Sequence, residues 1–229
     1  MDIRKTDPEY AEILERFMRD EAVNGDEVRL PARLHYLAVL AALMGCGGTE
    51  AYRELLPAAL DRGLSPVAVK EVVYQATRLS GVRTGSAVPQ SDQRGSDRRW
   101  GIAPAGGAGD RDAGENRLEQ GVQAQAEIFG ERMRQAWQAG TVNRWLAENC
   151  FGDYYTRRGL SLPERELITF CFLAAQGGCE PQLTAHAKGN MAIGNDAEFL
   201  TRVVLNCLPY IGYPRSLNAL ACVKKAGET

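Results

Sequence analysis

The sequence contains only two histidines, His35 and His186, and none of its six cysteines stands in a CxxC pair. That spacing excludes the usual zinc motifs, and the scatter of Cys46, Cys150, Cys171, Cys179, Cys207 and Cys222 through apolar segments argues against a disulfide framework. Such cysteines read as small buried hydrophobes. No stretch approaches the roughly 18 apolar residues of a membrane span. The opening MDIRKTDPEYAEILERFMRDEA is charged throughout and has no apolar core of signal-peptide length, so a cytoplasmic protein with no membrane partner is expected. An excess of one charge is missing too. With 27 Lys and Arg against 29 Asp and Glu, the formal net charge of -2 supplies no field that would gather nucleic acid. GxGxxG, GxxxxGK[ST], HExxH and EF-hand patterns are absent, so neither a nucleotide nor a metal is indicated and no cofactor is expected.

Strand-like alternation is also lacking, and what is present is helical. Asp7 followed by Pro8 reads as a helix start, with Tyr10, Ile13, Leu14 and Phe17 on one face up to about Ala22. LPARLHYLAVLAALM, from Leu30 to Met44, is apolar on most sides and reads as a core helix ended by Gly45, Gly47 and Gly48. Helices near 50–62 and 66–80 follow. The second half repeats this plan. A shift of 132 aligns Leu30, Pro31, Arg33, Ala42 and Gly45 with Leu162, Pro163, Arg165, Ala174 and Gly177. A shift of 131 then aligns Gly63, Val72, Val73 and Gly81 with Gly194, Val203, Val204 and Gly212. An internal duplication predicts an all-α bundle of two related units, with helices near 163–176, 181–193, 196–208 and 214–226 in the second. The division is a degenerate N-terminal copy over 1–82, a segment 83–115, and bridging helices plus the second copy over 116–229. Segment 83–115 is rich in Gly, Ser, Arg, Asp and Pro, the composition of a flexible linker, with a lid or an out-of-frame stretch as alternatives. From Asn116 the helical period resumes through Leu118, Val122, Ala126 and Phe129.

The chemistry-bearing stretch is LSLPERELITFCFLAAQGGCEPQLTAHAKGNMAIGND. Glu166 shares a helix with Leu167, Ile168, Phe170 and Leu173, so its carboxylate lies close to apolar surface and needs a partner or a raised pKa. Cys179 sits between Gly177-Gly178 and Glu180-Pro181, at a helix N-terminus, a position that lowers a thiol pKa. His186 lies on the helix that follows, separated from Cys179 by about 10 Å along the axis, and Gln182 is its nearer neighbour one turn back.

This stretch, with LPYIGYPRSLNAL (208–220) and FGDYYTRRGL (151–160), resembles the carboxymuconolactone decarboxylase and AhpD-like family. The resemblance implies Glu166, Cys179 and His186 as catalytic residues. The AhpD pattern CxxCxxxH is broken here, because Gln182 replaces its second cysteine, and a dithiol peroxidase cycle then lacks its resolving thiol. The decarboxylase branch is therefore the first expectation: cofactor-free acid/base chemistry on a small carboxylate or lactone substrate. His186 would donate the proton, Glu166 would orient it, and Arg165, Gln182, Lys188 and Arg215 are the candidate substrate-binding residues. A peroxiredoxin-type antioxidant using Cys179 and a non-catalytic oligomeric binding protein are the alternatives. The matching positions in the first half, Leu34, Gly47 or Gly48, and Leu55, cannot ionise, and His35 reads as structural. Family members form rings of six units, which for a duplicated chain implies a homotrimer.

Overall fold

The computed structural model of the protein describes residues 3–81 and 116–228, and the segment 83–115 lies outside the described residues. Among the described residues there is no strand, and the architecture is an all-α bundle. A short α1 (Ile3–Thr6) precedes α2 (Pro8–Glu15), which continues as a π-helical stretch over Arg16–Glu21. Asp7 caps α2 by accepting from the Tyr10 amide, as the sequence predicts. The face expected to be buried is largely bare: Ala11 is the buried residue of α2, while Tyr10 and Ile13 are exposed.

The first unit is α3 (Ala32–Cys46), α4 (Thr49–Asp61) and α5 (Pro66–Leu79). A bridging region follows: α6 (Arg117–Phe129), a 3-10 stretch (Glu131–Ala139), α7 (Thr141–Trp145), and a π-helical continuation over Leu146–Tyr155. The second unit is α8 (Leu162–Gln176), α9 (Glu180–Ala192), α10 (Ala197–Ile211) and α11 (Tyr213–Gly227). Helices of 15, 13 and 14 residues in the first unit correspond in order to helices of 15, 13 and 15 in the second, so the order and length of the first three helices repeat. A first-unit counterpart of α11 would fall in the undescribed segment. No helix among the described residues is long and apolar enough to cross a membrane.

The core forms where α3 and α8 run along each other. Leu37 to Met44 are all buried, and so are Arg165 to Ala175, because both helices are covered on every side. The apolar side chains of these two helices join those of α5, α10 and α11 in one cluster, and burying side chains of this size stabilises by roughly 1.5–3 kcal/mol each. Two buried polar residues tie the units together. Asn206 on α10 donates from Nδ2 to the Val28 and Arg202 carbonyls, so its Oδ1 must accept, and His35 Nδ1 donates to it at 2.7 Å. Burial lowers the His35 pKa and the Asn206 bond opposes that shift, which suits a neutral, structural histidine. Gln75 on α5, the position matched to Asn206 by the shift of 131, reaches the opposite way into α8.

A third feature sets the bridging region. At Gly121 a Cβ would stand 1.9 Å from the Ala147 carbonyl oxygen, and at Gly152 it would stand 2.1 Å from the Arg117 carbonyl oxygen. Backbone meets backbone where α6 crosses the π-helical stretch, and no side chain fits between them. Gly121→Ala should therefore cost about 3 kcal/mol or more and lower the melting temperature, while Gly227→Ala, with nothing within 4 Å of its Cβ, leaves it unchanged. Calorimetry of the two variants checks this.

Candidate functional site

Glu166 is the fifth residue of α8, past the Ser161 capping box and inside the core, with no exposed side-chain surface. An isolated carboxylate there would be expensive, and each of its oxygens has a hydrogen-bond partner. Oε1 accepts from the Tyr155 hydroxyl at 2.6 Å, and Oε2 faces His186 Nδ1 at 2.7 Å. His186 keeps 16% of its side chain exposed, so the pair joins a buried carboxylate to an imidazole that solvent or a ligand can reach. With Nδ1 turned to Glu166, Nε2 is the nitrogen left for chemistry.

The imidazole is held by several elements. Asn190, one turn further along α9, donates to the His186 carbonyl at 2.8 Å and to the Glu166 carbonyl at 3.0 Å, which locks α9 against α8. Phe129 meets the His186 ring edge-on with centroids 5.2 Å apart, and Phe151 packs against both Phe129 and Tyr155. Gly189 makes this approach possible, since a Cβ there would stand 2.8 Å from the Phe129 ring. Burial and the Glu166 charge push the Tyr155 phenol well above its ordinary pKa and the Cys150 thiol up to about 12, so both are neutral groups beside the carboxylate.

Behind Glu166 the polar groups continue. Tyr155 Oη is 2.7 Å from Thr169 Oγ1, and Gln75 Nε2 donates to Thr169 Oγ1 at 2.7 Å and to the Arg165 carbonyl at 2.8 Å. Arg165 Nη1 donates to Gln75 Oε1, and Nη2 donates to Glu71 and to the Arg157 carbonyl. Arg157 in turn grips Glu71 with both Nε and Nη2.

The expectation that Arg165 anchors substrate is corrected by this arrangement. Its side chain is 0% exposed and its charge is met by Glu71, so it is a structural cation at the junction of the two units. The thiol expectation is corrected as well. Cys179 does occupy the N-cap of α9, yet burial, Glu180 and Cys222 raise its pKa. Its Sγ donates to the Leu173 carbonyl at 3.4 Å, among contacts separate from those of His186. Arg215 lies beside Gly177, at the same turn. Gln182 and Lys188 are exposed residues of α9, and Gln182 lies one turn before His186. The structure thus brings Glu166 and His186 together and leaves Cys179 and Arg215 at the other end of α8. Tyr155, Thr169, Asn190 and Phe129 are site residues that the sequence reading missed. The one available signal was the FGDYY stretch that contains Tyr155.

A raised thiol pKa has a direct consequence. Alkylation of Cys179 by iodoacetamide, followed by peptide mass spectrometry, should be slow at neutral pH and keep accelerating above the ordinary thiol pKa. A rate already at its plateau near neutrality would contradict the geometry.

With this arrangement established, similarity to known proteins becomes informative. The carboxymuconolactone decarboxylase family model matches residues 140–225, the segment that supplies Tyr155, Glu166 and His186. The chain is also similar to 4-carboxymuconolactone decarboxylase from Acinetobacter baylyi, with 28% identity over 112 residues, covering 46% of this chain and 83% of that protein. The matched segment and the all-α fold agree with the motif read in the sequence, and residues 140–225 are similar to the carboxymuconolactone decarboxylase family.

Proposed function

We propose that this protein is a cofactor-free decarboxylase of a small carboxylate-bearing acid or lactone, with His186 as the proton donor. The observation that carries the reading is the bond from His186 Nδ1 to a fully buried Glu166, which leaves Nε2 on the accessible side of the ring. Loss of carbon dioxide from a carboxylate leaves an electron pair that is delocalised as an enolate and must be protonated at carbon. An imidazolium whose charge is balanced by Glu166 can deliver that proton from Nε2 and recover it from water. Glu166 keeps its partner at Nδ1 through both steps, so a single nitrogen exchanges protons. Phe129 shields one edge of the ring, which favours transfer to substrate over exchange with bulk water. The exposed Gln182 and Lys188 on α9 are the remaining candidates for holding a substrate carboxylate.

The similarity to 4-carboxymuconolactone decarboxylase supports this choice of substrate class. The thiol-peroxidase alternative gains nothing from the site, because the surroundings of Cys179 disfavour its thiolate.

The test is a screen of small lactone and keto acids for carbon dioxide release by the wild type, followed by His186→Gln and Glu166→Gln on any substrate turned over. Each variant should lose roughly 100-fold or more in kcat, the range for a general acid. Variants as active as the wild type would remove the pair from the chemistry.

A further inference from the structure

We propose that the first half of the chain takes part in the site through a one-way hydrogen-bond relay, Gln75 to Thr169 to Tyr155 to Glu166, in which Gln75 and Tyr155 are positioning residues for His186. The functional sense of the proposal rests on the acid/base reading of the pair. The relay itself follows from the donors and acceptors present.

The direction of each bond can be worked out from its far end. Gln75 Oε1 accepts from Arg165 Nη1 at 3.1 Å, which fixes the amide orientation. Its two N–H groups then point at the Arg165 carbonyl and at Thr169 Oγ1. Thr169 Oγ1, already accepting from Gln75, turns its own hydrogen toward Tyr155 Oη, 2.7 Å away. Tyr155 Oη accepts that hydrogen and donates its own to Glu166 Oε1 at 2.6 Å. Glu166 therefore receives a hydrogen on Oε1 from this chain, while Oε2 shares a proton with His186 Nδ1, 2.7 Å away. A donor on Oε1 favours the ionised form of a carboxylate, and an ionised Glu166 accepts on both oxygens. The proton of the pair then stays on Nδ1, and Nε2 is where a proton comes and goes.

The relay starts in the half that has no ionisable counterpart of Glu166 or His186. Its donor, Gln75, is the position that repeats Asn206, and both reach across to the first helix of the opposite unit. Duplication has thus left the first unit holding the charge state of a site in the second.

The protein offers a clean readout, because its two histidines report on different places: His186 on the pair and His35 on the Asn206 bond. We would follow both imidazoles by NMR titration in wild type, Tyr155→Phe, Thr169→Val and Gln75→Met, without substrate. Removing the phenol withdraws a donor from the carboxylate, so the pair holds its second proton more tightly. The His186 midpoint should rise by about one pH unit in Tyr155→Phe, the equivalent of one lost hydrogen bond to a charged group. It should rise by less in Thr169→Val and Gln75→Met, while His35 stays put in all three. Tyr155 and Cys150 stay neutral across this range and cannot produce the shift. A His186 midpoint that is unmoved or lower in a folded Tyr155→Phe, or one that moves only together with His35, would overturn the relay. An unmoved midpoint in Gln75→Met would remove the first half from it. Thr169→Val keeps the test open should Tyr155→Phe fail to fold. Since no substrate is involved, the absence of any decarboxylase activity would not bear on this result, nor this result on that activity.

Discussion

Everything around the site answers one electrostatic demand, that of a carboxylate placed where water cannot reach it. Moving a charged group into a protein interior costs several kcal/mol unless its oxygens find hydrogen-bond partners. Glu166 meets this demand with Tyr155 on one oxygen and His186 on the other. Each of those donors must in turn be held, and the requirement spreads outward through Thr169 and Gln75 on one side and Asn190 on the other. The crossing of α6 over the π-helical stretch through Gly121 and Gly152 is the backbone's share of the same arrangement. It sets the segment that ends at Tyr155.

A second buried charge makes the two-unit architecture more than a packing device. Arg165 precedes Glu166 in sequence but projects to another side of α8, where it meets Glu71 of the first unit, itself clamped by Arg157. Adjacent residues of one helix thus serve different ends. Arg165 joins the two units, and Glu166 bonds the accessible histidine. The first unit, without an ionisable site of its own, contributes Gln75 and Glu71 to the stability and orientation of the second.

Much of this was legible in the sequence where the signal is local. Asp7 before Pro8 marks a helix start that the structure reproduces, and the helices expected near 163–176 and 181–193 are α8 and α9 within a residue or two. Glu166 and His186 were legible because the family motif pairs them across two successive helices. Tyr155 and Gln75 were not, since their bonds to Thr169 span 14 and 94 residues and no local spacing encodes such contacts. Arg165 was misread because adjacency to Glu166 says nothing of direction: one residue along a helix turns the side chain by about 100°. Cys179 was misread for a different reason. Its helix N-terminus favours a thiolate, but burial and the neighbouring Glu180 outweigh that local field.

A carboxylate kept for chemistry should differ from one kept for stability, and unfolding measurements on Glu166→Gln tell them apart most directly. The amide that replaces the carboxylate can accept from Tyr155 and donate to His186 Nδ1 in its other tautomer, so both contacts of the carboxylate are retained. With the cost of burying a charge removed, the variant should match or exceed the wild type in urea-unfolding midpoint while losing activity. A loss of about 3 kcal/mol or more, the penalty for breaking a buried structural pair, would contradict the assignment and make Glu166 a structural member of the core.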